Sequence, residues 1–221
     1  MKIPFTLIKK STGEEISFDI PQLWEDISVG EFVEIKKKLI KGESLEGSNL
    51  LPVFSGIPAN VWRSTSTEEV GGAIAAIFTL LTSTPPDFLK LPKPASIELD
   101  GVEIRTKSDI GKYSFGVIEA MTQRLTDWVI GGSDAASLDE LIIYAPEVIA
   151  LFSYEEYSSG EWDEERSRDL IPFVEDLPAI VGIPLAVFFL LIALESLTNG
   201  VTLLTQNQKR TQSRRWRTRR S

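Results

Sequence analysis

Residues 177–194, LPAIVGIPLAVFFLLIAL, run for eighteen positions without a charged side chain, and such a run can be hidden from water only in a protein core or in lipid. As one helix it would span about 27 Å, marginal against a hydrocarbon core of roughly 30 Å. Pro184 stands near its middle, where proline removes an amide donor and crowds the carbonyl four residues earlier. The Gly182-Ile183-Pro184 step therefore predicts a break, with a short segment before it and a core-length helix, LAVFFLLIALESLT, after it.

Charge argues the same way. The last acidic residue is Glu195, and beyond it lie seven bases, Lys209, Arg210, Arg214, Arg215, Arg217, Arg219 and Arg220. Without those seven, 16 basic residues face 32 acidic ones, so residues 1–195 carry about −16 and the arm +7. The opening MKIPFTLIKKSTGEE has no charged region followed by a long apolar run, so no secretory signal is expected. An acidic body kept in the cytoplasm would send the arm across a membrane against the positive-inside rule. The run is expected instead as a broken, buried helix pair, with no membrane partner.

The rest of the chain alternates short β signals with helices. Ile3, Phe5 and Leu7 and then Ile16, Phe18 and Ile20 keep a period of two on either side of KKSTGEE, which predicts a hairpin. Ser28 with Glu31 makes a capping box, and the helix it opens puts Phe32, Ile35 and Leu39 on one face before Gly42 ends it. Leu50–Phe54 and Thr65–Thr82 read as further helices separated by Gly56-Ile57-Pro58. Prolines 85, 86, 92 and 94 then exclude a continuing helix. Asp100-Gly101, between Ile97, Leu99 and Val102, Ile104, predicts a second, tight hairpin, and helical spacing follows from Ile110 to Trp128. Further on, Ser137 or Asp139 should cap another helix.

The expected fold is α+β and predominantly helical, with two β-hairpin-plus-helices units whose repeated order suggests a degenerate duplication. The expected organisation is an N-terminal unit over 1–84, a proline-rich linker over 85–95, a second unit over 96–204 and a basic arm over 205–221.

Site chemistry is sparse. The chain has no cysteine and no histidine, which removes thiolate metal sites, the commonest general base and the Ser-His-Asp triad. No catalytic residue, cofactor or metal ligand is assigned, and no enzymatic activity is expected. The carboxylates of EEYSSGEWDEER, residues 155–166, lack the alternating pattern of a calcium loop. They read as a solvated loop and first helical turn, a docking surface for a basic partner or a divalent-cation site being the functional readings. Gly71-Gly72 and Gly131-Gly132 belong to no phosphate-binding motif; the first is expected to let two helices approach and the second to end a helix.

The arm is the sharpest candidate. Arg210, Arg214, Arg215, Trp216, Arg217, Arg219 and Arg220 are the expected partner-binding residues. Arginines around one indole suit an acidic protein surface, this protein's own body or a neighbouring copy in a homo-oligomer, and also suit phosphates with a stacked base, the plain alternative being a solvated tail.

Two stretches carry a family resemblance. IPQLWEDISVGEFVEIKK with LLPVFSGIPANVWRSTSTEEVGGAIAAIF, and APEVIALFSYEEYSSGEWDEERSRDLIPFVEDLPAIVGIPLAVFFL, resemble small proteins encoded among the tail genes of tailed bacteriophages of Bacteroidota. The resemblance implies a tail assembly chaperone-like or other virion assembly protein without catalysis, present in the host cytoplasm during assembly or in the virion. Its implied partner is a phage structural protein such as the apolar, helical tape-measure protein, or neighbouring subunits. The basic arm has no counterpart in the resemblance.

Overall fold

Alternation in the first twenty residues becomes a two-stranded antiparallel sheet, β1 (Lys2–Ile8) and β2 (Glu15–Pro21). The register pairs Ile3 with Ile20, Phe5 with Phe18 and Leu7 with Ile16, so every apolar side chain of the pattern falls on one face. The structure, a computed structural model, describes residues 2–8, 12–45, 47–63, 67–107, 109–130 and 137–195.

After a single turn of 3-10 helix at Trp24–Asp26, α1 (Val29–Ile40) begins as its capping box predicts. The Ser28 hydroxyl accepts from the Glu31 amide, and the Glu31 carboxylate accepts from the Ser28 amide at 2.8 Å. Gly42, at φ +69°, ends the helix. Then come α2 (Gly47–Ser55), α3 (Ala59–Arg63) and α4 (Thr67–Thr82). The five-residue α3 was not expected: it is too short to show a helical period in sequence. α2 and α4 cover the apolar face of the hairpin, where Phe18 meets Trp62 edge-on at 5.2 Å. Gly72 turns out to admit a strand and not a helix, since a Cβ there would lie 3.3 Å from the Phe5 ring.

The second hairpin is β3 (Ser96–Leu99) and β4 (Val102–Arg105). Asp100 at φ 50° and Gly101 at φ 75° make the turn, both with the positive φ that a tight two-residue connection needs. α5 (Phe115–Ile130), α6 (Leu138–Leu141), α7 (Ala145–Tyr157), α8 (Glu164–Ser167) and α9 (Ile171–Glu175) follow. Ser137, not Asp139, caps α6.

The last helix, α10, occupies residues 179–195 without interruption. This corrects the expected break at Pro184. Proline inside a helix costs about 3 kcal/mol, but Pro184 and residues 182–187 around it are all buried, and ending the helix there would leave further backbone groups unpaired in an apolar core. One missing amide is the smaller loss. Among the described residues no helix is long and apolar enough to cross a membrane.

α1 and α10 start side by side. The Val29 amide donates to the Leu177 carbonyl at 2.8 Å and the Ala179 amide to the Ile27 carbonyl at 2.7 Å, closing an isolated antiparallel bridge between Ser28 and Pro178. The carbonyl two residues before each helix thus accepts from the other helix's first, otherwise unpaired amide. α1 also packs on α7 and α9, and the buried side chains of both hairpin units belong to one continuous core. In its second half, Phe152 stacks on Phe189 at 4.4 Å with Tyr113 edge-on to both.

A candidate partner-binding groove

The stripe on α1 that the sequence places on one face, Phe32, Ile35 and Leu39, together with Lys36, forms one wall of an open groove. The facing wall is Pro85 to Leu89, directly after α4, and Trp24 joins the lining. Ile142 and Ile183, both buried, complete it from the second half of the chain. Phe32 and Phe88 hold the two walls together edge-to-face at 4.9 Å, and the Trp24 indole N–H donates to the Ser83 carbonyl at 3.2 Å. These contacts fix a segment whose prolines deny it helical hydrogen bonding.

Groove chemistry is almost wholly apolar. Among the described residues its charged lining is Lys36, whose ammonium lies 5.8 Å from the centre of the Phe32 ring, and Asp87, which pairs with Lys90 at 2.7 Å. The Lys90 ammonium holds the Asp87 carboxyl below the usual carboxylate range. Leu39 and Leu89 are each 46% exposed at the edge, while Phe32 and Phe88 beneath them are buried. A volume of about 260 Å³ falls below the ~300–1,000 Å³ of small-molecule pockets. It suits a few inserted apolar side chains from a helix or extended segment, the geometry of helix-in-groove recognition.

Three of the carboxylates of residues 155–166, those of Glu155, Asp163 and Glu164, make contacts within the fold. Glu155 accepts from the Ser114 amide at 3.1 Å and faces Lys107 at 3.6 Å. Asp163 caps α8 by accepting from the Glu165 and Arg166 amides. Arg124 on α5 reaches Glu147 at 2.8 Å and Glu164 at 2.9 Å, tying α5 to α7 and α8. Among the described residues no group of three or more acidic side chains could hold a metal ion.

The expected partner-binding residues Arg210, Arg214, Arg215, Trp216, Arg217, Arg219 and Arg220 lie outside the described residues, as do Gly131 and Gly132. The groove is not visible as a site in the sequence, because its walls come from positions about fifty residues apart. A usable signal was nonetheless present: Phe88 and Leu89 are two large apolar residues in a proline-rich segment expected as a linker.

Comparison of the chain with protein-family models, with curated proteins and with solved structures finds no match in any of the three.

Proposed function

We propose that this chain is a non-enzymatic assembly protein of a tailed bacteriophage that works by binding another protein, as a tail assembly chaperone-like factor. The resemblance of its helical segments to tail-gene products supplies the phage context. The observation that carries the binding reading is the groove itself: an open, apolar cleft edged by half-exposed Leu39 and Leu89 over buried Phe32 and Phe88. A tape-measure protein, apolar and helical, presents side chains that such a cleft can shelter from water. The activity takes place in the host cytoplasm during assembly and requires no cofactor.

Co-expression with the tape-measure protein of the same phage tests this. Joint purification and a gain in tape-measure solubility are expected, and the gain should fall when Leu39→Asp places a charge on the groove. A tape-measure protein that neither co-purifies nor becomes more soluble would sink the chaperone reading.

A second reading is favoured by the charge split between a −16 body and a +7 arm. Here the protein is a structural component of the virion, and Arg210, Arg214, Arg215, Trp216, Arg217, Arg219 and Arg220 dock on a neighbouring subunit or on nucleic acid. Stoichiometric recovery from purified virions would support it, and absence from them would end it.

A further inference from the structure

We propose that the outer face of α4 is a self-association surface, on which two copies of this chain pair their α4 helices antiparallel about a two-fold axis. The inference rests on α4, not on the groove or on the partner proposed above. From Val70 to Pro86 the chain has no charged residue, yet α4 is only partly buried. Ala73, Ile77 and Leu80 enter the core, while Phe78 is 66% exposed and Ala75, Thr79 and Thr82 are exposed with it. A surface helix ordinarily carries charged and polar groups on its solvent side. Here the two hydroxyls on that side turn back onto the helix: Thr79 donates to the Ala75 carbonyl at 2.9 Å and Thr82 to the Phe78 carbonyl at 3.0 Å. Both donors are thus satisfied without water.

Size and charge decide what covers this face. Gly71, Ala75, Phe78 and Thr82 recur at spacings of four, three and four, the seam along which two helices interdigitate. A Cβ at Gly71 would meet nothing within 4 Å, so the first half of the seam is a hollow and Phe78, in the second half, is a projection. Antiparallel pairing, with the axis level with the midpoint of Ala76 and Ile77, sets Ala75 of each copy opposite Phe78 of the other. It also sets Gly71 opposite Thr82 and Ile74 opposite Thr79. Each layer then joins a smaller side chain to a larger one, so the face complements itself as a two-fold contact requires. Parallel pairing would stack Phe78 on Phe78 and leave Gly71 facing Gly71. A second copy carries the same charge of about −16 over residues 1–195, and two such bodies meet closely only where neither presents charge. Residues 71–82 give a seam about 18 Å long, a contact smaller than the stable interfaces of ~1,200 Å² and above. The dimer is therefore reversible.

Sedimentation velocity on the full-length protein, from low to high micromolar concentration, tests the pairing. A concentration-dependent equilibrium between monomer and dimer is expected. Ala75→Phe fills the hollow and Phe78→Ala removes the projection, and each should weaken dimerisation by about tenfold or more. The urea midpoint at low concentration should change little, because both positions are exposed. The double variant Ala75→Phe/Phe78→Ala exchanges hollow and projection between the two positions and should recover most of the lost affinity. A protein that stays monomeric at every concentration would overturn the proposal and leave the face to a different protein. A dimer indifferent to both single variants would overturn it as well. So would two weakened single variants with no recovery in the double variant, since recovery follows from the layer that sets position 75 against position 78.

Discussion

Gly182 on α10 lies so close to Val29 on α1 that a Cβ at position 182 would fall within the van der Waals envelope of the Val29 Cγ2 methyl. That contact lets the two helices begin together at the Ser28–Pro178 bridge. In an unconstrained helix, glycine to alanine stabilises by about 1 kcal/mol. Here overpacking opposes it, at about 1–3 kcal/mol. Gly182→Ala should therefore lower the urea midpoint, whereas Gly71→Ala on α4, with no atom within 4 Å of its added Cβ, should raise stability by about 0.5–1 kcal/mol. Stabilisation by both would contradict the close approach of α1 and α10.

Removing the cap of α1 should also be measurable. Ser28→Ala deletes the acceptor for the Glu31 amide and should cost about 1 kcal/mol in chemical denaturation. Ser28→Asp restores an acceptor and should recover most of the loss.

Burial pushes the Tyr113 phenol well above the usual tyrosine value of 10, and the nearby Glu155 and Glu156 carboxylates push it the same way. A pKa raised in the folded state gives stability that is complete below the unfolded value and declines as pH climbs above about 10. Stability should thus fall on the alkaline side, and Tyr113→Phe should flatten that fall. It should do so with a neutral-pH loss of only about 1 kcal/mol, for the hydrogen bond to the Lys107 carbonyl. A pH profile from 9 to 12 for both proteins checks the sign.

Arg124 joins three helices through two carboxylates that are themselves 39% and 48% exposed, with its own side chain 16% exposed. Solvent screening keeps such pairs modest, so Arg124→Ala should cost about 1–2 kcal/mol, including lost packing of the arginine stem. Arg124→Lys should recover only part, since a single ammonium cannot reproduce the guanidinium fork. Thermal denaturation at low and high salt separates the charge component from the packing component.

Legibility in sequence followed the locality of the cause. Both hairpins, the Ser28 cap and the Asp100-Gly101 turn are set by neighbours within a few residues, and the structure has each of them. Pro184 misled because the burial that keeps its helix whole comes from residues far along the chain. Gly72 misled for the same reason: the atom that needs its missing side chain belongs to Phe5. Half of the groove was readable as the apolar stripe of α1, but the facing wall at Phe88 and Leu89 acquires meaning only once the chain has folded around Trp24 and Ile183.

Hydrogen exchange on the co-expressed complex with the tape-measure protein tests the central claim most directly. Groove binding predicts slowed exchange over residues 32–40 and at Asp87 to Leu89, with the outer face of the Arg124 network unchanged. A complex in which those two segments exchange as fast as in the free protein, with protection elsewhere, would contradict it.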